Sequence, residues 1–112
     1  VHADAEPDQA FHLEAAKRGV YVEFDAIGAR PDLTAQLSYT TALIEASYTD
    51  RILLSHDAGW YEPGQPGGRP SGGVRGFTAL VDEFLPRLRS RGIQEDILHQ
   101  ITVVNPFQAF AF

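Results

Sequence analysis

A few ionisable side chains stand where a parallel α/β sheet keeps its chemistry: His2, Asp25, and the adjacent pair His56-Asp57. Asp25 closes the run Val20-Tyr21-Val22-Glu23-Phe24, and His56-Asp57 follows Arg51-Ile52-Leu53-Leu54-Ser55. His2 precedes a helix start, at a point where a strand end is expected. In open parallel sheets and in barrels, ligands bind at the C-terminal ends of the strands. A His and an Asp from different strand ends can converge on one metal ion, since imidazole nitrogen and carboxylate oxygen suit Zn²⁺, Mn²⁺ or Co²⁺. A carboxylate there can also take a proton from water whose pKa the ion has lowered. Each residue has a plainer reading as well. Asp57 can cap the segment after its strand, Asp25 can tie down a loop, and His2 can be an idle terminal residue. His56 lies one residue before Asp57, so its side chain points to the other side of the strand and reads as structural. His12 and His99 fall on helices and read as surface or packing residues. Trp60 and Tyr61 either line a substrate pocket or fold their loop back on itself.

The elements that must position these groups follow from patterning. A helix is predicted from about Pro7 to Arg18, with Lys17 and Arg18 suiting its C-terminal end and Gly19 its C′ position. Val20 to Asp25 has strand composition, and Gly28 to Pro31 reads as a loop. A second helix begins near Asp32, with Leu33, Leu37, Thr41 and Ile44 at helical spacing. Arg51 to Ser55 is a short apolar run of the kind buried on both faces of a sheet. From Ala58 to Gly73, six glycines and three prolines exclude regular structure. A third helix carries Phe77, Leu80, Val81, Phe84, Leu85 and Leu88 on one stripe that reads as core. Pro86 is expected to kink it and Gly92 to stop it. A short helix from about Gln94 to Gln100 follows, and Asn105-Pro106 reads as an N-cap and N1 proline opening a last turn through Phe107 and Phe110. The Gly67-Gly68 and Gly72-Gly73 pairs lack the order of a phosphate cradle.

Composition narrows the function. The chain has 112 residues, 44% hydrophobic and 21% charged, so it is too apolar for a disordered segment and is one domain's worth at most. A net charge of −6 argues against nucleic acid and against anionic membranes. No cysteine is present, which excludes disulfides, Cys-ligated zinc and a thiol nucleophile. That lack suits a reducing interior, and a cytoplasmic location is expected. No apolar run reaches the length of a transmembrane helix. The N-terminus resembles no signal peptide, and without an initiator Met the sequence starts as a processed, trimmed or excised piece would.

Strands alternating with helices mean βαβ units and a parallel sheet. Two strands are clear, and a third is expected to end at Val1-His2. The pattern is about three-eighths of a (β/α)8 barrel, a fold that typically needs about 250 residues, so the chain reads as a C-terminal slice of a barrel or as a small open α/β domain that looks like one.

At the strand ends the sequence resembles a known family. Val1-His2-Ala3-Asp4 and His12 through Asp25 look like the sixth and seventh barrel strands of the phosphotriesterase family. Arg51 through Trp60 looks like its eighth strand and following loop. Phe84 through Gly92 and Ile101 through Pro106 resemble its C-terminal helices, and the Gly-rich loop with Trp60 and Tyr61 leans toward the lactonase-like branch. The resemblance implies that residues 1–112 are a single partial domain: the C-terminal third of a (β/α)8 TIM barrel, about strands 6–8 with their helices. It implies a hydrolase with two divalent metal ions, most often Zn with Mn or Co as alternatives. In such an enzyme a metal-bridging hydroxide attacks a small-molecule phosphotriester or lactone.

By the same resemblance His2 binds the more exposed ion. Asp57 binds the more buried ion and takes the proton, and Asp25 supports the ligands from behind. The family also needs a His-x-His pair on strand one, a carboxylated Lys or a Glu on strand four, and a His on strand five. None of these is in the chain, and Ala26 stands where some relatives have a proton-relaying His. The chain alone is thus expected to be inactive, its partner being the rest of the barrel or other copies of itself. The alternative is a stand-alone fragment, catalytically incompetent, with a structural or interaction role.

Overall fold

A computed structural model of the chain describes residues 1–72 and 76–111. After a 3₁₀ turn at Ala3–Ala5 come α1 (Gln9–Lys17), β1 (Val22–Phe24), α2 (Thr34–Glu45), β2 (Ile52–Leu54), α3 (Leu85–Ser90), α4 (Glu95–His99) and α5 (Asn105–Phe110). The two strands pair in parallel, with Val22 opposite Ile52 and Phe24 opposite Leu54. The ladder continues past the strand ends, where Ser55 N–H donates to Phe24 O and Ile27 N–H to Ser55 O. The fold is therefore α/β, with α2 as the crossover between parallel neighbours.

Three helices end in one device. In α1 the Val20 N–H reaches back to Ala15 O and Gly19 N–H to Ala16 O, with Gly19 at φ 83°. In α2 Tyr48 and Ser47 repeat the pattern onto Leu43 and Ile44, and after α3 Ile93 and Gly92 repeat it onto Leu88 and Arg89. This six-to-one closure needs a left-handed residue at C′. Glycine supplies it at positions 19 and 92, and Ser47 adopts it at φ 67°.

The core has two lobes that share Leu54. One gathers Val22, Phe24, Leu43, Ile52 and Ile101, and the other Ile27, Leu33, Leu37, Phe84, Leu88 and Leu98. The expected face of α2 is corrected in part. Leu33 and Leu37 are buried, but Thr40 and Leu43 complete the face instead of Thr41 and Ile44. Both sets keep three-to-four spacing, and the helix, rich in Ser, Thr and Ala, carries too few large apolar residues to choose between them. The stripe of the third helix also divides. Phe84, Leu85 and Leu88 are buried, whereas Phe77 and Val81 are 63% exposed.

Both C-terminal prolines follow a π-helical turn. Leu80–Phe84 forms a π-helical turn running directly into α3, and Gln100–Val104 forms another between α4 and α5. Each precedes a proline, Pro86 or Pro106. A proline ring presses on the carbonyl four residues earlier, here Asp82 or Thr102, and a widened turn relieves that contact. The chain thus continues as helix from Glu95 to Phe110, and Asn105 is not the start of a new one. Asn105 is instead fully buried and donates from Nδ2 to Thr49 O at 2.7 Å and Ile52 O at 2.8 Å. A polar residue ahead of proline mimics an N-cap, but here its amide locks the C-terminal helix to the start of β2.

The strand expected to end at Val1-His2 is not formed among the described residues, where His2 leads straight into the 3₁₀ turn. Gly73, the last residue of the expected Gly/Pro loop, lies outside the described residues. No helix among the described residues is long and apolar enough to cross a membrane.

Candidate functional site

The C-terminal ends of β1 and β2 and the turn at Ala3–Ala5 surround one hollow of about 590 Å³, lined by His2, Asp25 and Asp57 together with Asp4, Arg30, Asp32 and Gln36. Three chain segments far apart in sequence therefore bring together the His and the two carboxylates that the strand ends pointed to.

Asp25 sits just past β1 and is only 5% exposed. Its Oδ2 accepts the His2 ring Nδ1–H at 2.8 Å and the His2 backbone N–H at 2.9 Å. Burial on its own pushes the Asp25 carboxyl up, but these two donors more than offset it and hold the group below the usual carboxylate range. In return the hydrogen bond to Asp25, its charge and that of Asp57 hold the largely exposed His2 imidazole above its ordinary pKa. Fixing the proton on Nδ1 makes Nε2 the nitrogen with a lone pair in the neutral ring, as in carboxylate–histidine–metal arrangements.

The turn that carries His2 is tied down from two sides. The Asp4 carboxylate accepts the Ala26 N–H at 2.8 Å, linking the turn to the end of β1. His12 on α1 is buried, and its Nε2–H donates to Ala3 O at 2.7 Å while its ring packs edge-on against Phe24 and Tyr39. A helical His flanked by apolar residues gives little sequence signal for that role. Asp4 did offer one, since it lies two residues beyond His2. Arg30 likewise stands on a loop after a strand end, where site residues gather.

Backbone conformation marks two of the same positions. Non-glycine residues with positive φ are uncommon, though His and Asp tolerate them better than most. Among the described residues there are three: His2 at 58°, Asp57 at 45° and Ser47 at 67°. Ser47 is explained by its helix end, whereas His2 and Asp57 face the hollow.

His56 behaves as its place in the strand implied. Its Nε2 accepts the Leu80 N–H at 3.0 Å, closing the start of the third helical segment, and its ring meets Phe77 edge-on. Trp60 and Tyr61 do not line the hollow. Tyr61 lies across Gly68, where a Cβ would run into its ring. Glu62 organises the rest of the loop, accepting the Ser71 N–H at 2.8 Å while its own N–H donates to Gly68 O.

No group of three or more His, Asp or Glu side chains is placed to hold a metal among the described residues. The donor chemistry nevertheless fits part of a divalent-metal site, with an imidazole oriented by a buried carboxylate and a second carboxylate on the neighbouring strand end.

The chain is 29% identical to an N-acetyltaurine hydrolase of Pongo abelii and 28% identical to that of Homo sapiens, over 89% of its length. It superposes on the organophosphorus hydrolase from Deinococcus radiodurans with a TM-score of 0.82 at 37% identity, over 98% of this chain and 36% of that one. A mutant of a phosphotriesterase-like lactonase from the same organism gives 0.82 at 38% identity over 98% of this chain. The chain spans 31% of the length of those N-acetyltaurine hydrolases. Residues 1–110 match the model of the phosphotriesterase family, and the chain whose strand ends gather His2, Asp25 and Asp57 belongs to that family.

Proposed function

We propose that this chain is the C-terminal third of a (β/α)8 barrel, about strands six to eight, of a metal-dependent hydrolase of phosphotriesterase or lactonase type. The observation that carries the reading is the convergence of His2, Asp25 and Asp57 on one hollow at the C-terminal ends of parallel strands. His2 and Asp57 are the metal donors of this part, and Asp25 sets the tautomer and direction of the His2 ring. A pair of divalent ions, most often Zn, supplies Lewis acidity and an acidified water when bound. Asp57 takes the proton as the nucleophile attacks a phosphotriester or lactone centre. The open rim between strand ends admits the substrate, and Trp60 and Tyr61, on the loop after Asp57, border the wider pocket of the whole barrel.

The remaining donors come from the rest of the barrel, which also covers the exposed Val1, Phe11 and Val20 beside β1. With only His2 and Asp57 as donors, the 112 residues alone hold metal weakly and turn nothing over. The test is Asp57→Asn in the whole protein, assayed on a γ-lactone and on a diethyl 4-nitrophenyl phosphotriester. A loss of about 10²–10⁴-fold in kcat with the fold retained is expected. Unchanged turnover by a folded variant would overturn the assignment.

A further inference from the structure

Among the described residues Arg30 is the one arginine or lysine lining the hollow, together with carboxylates that already have other work. Asp4 Oδ2 accepts from Ala26 N–H and from Gln36 Nε2, Asp25 Oδ2 accepts twice from His2, and Asp32 Oδ1 accepts the Thr34 N–H at 2.9 Å. Arg30 itself makes no hydrogen bond, ion pair or ring contact among the described residues. Arg30 is exposed, so its guanidinium is open to an incoming ligand.

The loop that presents Arg30 is held in place. Gly28, at φ 83°, lies against Ala79 so closely that a Cβ would collide with it, and Ala29 N–H donates back to Ala26 O. Pro31 follows Arg30 and disfavours the helical backbone for it. The side chain is thus a planar fork of donors, on an anchored loop, at the same strand end as Asp25. Such a fork matches a carboxylate two oxygens at a time.

We propose that Arg30 reads an anionic group on the substrate, so that the enzyme prefers ester substrates carrying a free carboxylate. The inference rests on the hydrolase reading and sharpens it. Against the surrounding carboxylates an anion is otherwise repelled, and Arg30 is the group that reverses the sign locally.

The test uses the whole metal-loaded protein and two esters differing only in charge: 4-nitrophenyl hydrogen glutarate and its methyl ester. The wild type is expected to favour the free acid by at least about tenfold in kcat/KM. Arg30→Gln should lower the acid-to-methyl-ester ratio by about 10–100-fold, chiefly through KM, the range for charge-assisted hydrogen bonds. Arg30→Lys should restore part of it, because a point charge keeps attraction but loses the two-oxygen fit. A wild-type ratio near one, or a ratio that Arg30→Gln leaves unchanged while the methyl ester is still cleaved, overturns the role of Arg30 alone. No turnover of either ester overturns the hydrolase reading and this inference with it.

Discussion

Asn105 offers the sharpest check on how the C-terminal helix is attached. Its side chain is fully buried and uses both amide hydrogens, on Thr49 O and Ile52 O, while its Oδ1 accepts from Gln100 Nε2 at 2.7 Å. In Asn105→Ala both carbonyls lose that donor. Thr49 O still receives the Ile52 N–H, so its loss falls at the low end of the range for a deprived buried group. Ile52 is fully buried, and the loss at its carbonyl falls higher. Together these amount to about 3 kcal/mol. Asn105→Asp keeps the shape but replaces both donors with an acceptor facing two carbonyl oxygens. An uncompensated buried charge costs about 3–5 kcal/mol.

The Asp variant also carries a pH signature. Its carboxyl is held protonated in the fold, so its folded pKa is raised above the unfolded value of about 3.9. The deficit against wild type is therefore smallest below about pH 3.9 and grows by about 1.4 kcal/mol per pH unit until the folded pKa is passed. Urea unfolding of both variants between about pH 3.5 and 8 measures this. A change within about 0.5 kcal/mol for Asn105→Ala, or a pH-independent deficit for Asn105→Asp, would refute the bridging role.

Two further outcomes follow from the site and from the helix ends. Asp25→Asn should lower the His2 pKa toward its ordinary value, read by NMR titration of the imidazole, and weaken metal affinity of the whole protein by about 10–100-fold. The His2–Asp25 pair should itself stabilise the fold most between the ordinary Asp and His values, about pH 4 to 6.5. As pH falls through the lowered Asp25 pKa the contribution is lost, and it is lost again as pH rises through the raised His2 pKa. Ser47→Gly should stabilise the protein by about 0.5–1 kcal/mol in thermal or urea unfolding, since glycine reaches φ 67° without the Cβ penalty.

The sequence made the order of elements legible because each has a local cause. Asp8 caps α1, Gly19 and Gly92 close helices, and the β-branched and aromatic runs pair as strands, though shorter than expected. Asp25 and Asp57 were legible because they follow β1 and β2, whereas His2 reaches the hollow from a 3₁₀ turn and not from the strand expected there. What failed was phase and continuity. Spacing of three to four residues fits two faces of α2 equally well. Pro106 looked like a start, because a π turn that absorbs a proline leaves no trace in composition. Arg30 and His12 were missed because their roles depend on which neighbours are already committed, and only three-dimensional placement shows that.

The left-handed backbone at His2 and Asp57 bears on how such a chain evolves. Glycine would occupy either position at less conformational cost, by about 1–2 kcal/mol of relieved strain in each case, offset in part by unfolded-state entropy. A lineage that no longer needed the reaction would gain stability by discarding these two side chains. On the proposed hydrolase reading, the two side chains that oppose their own backbone trade folding stability for chemistry.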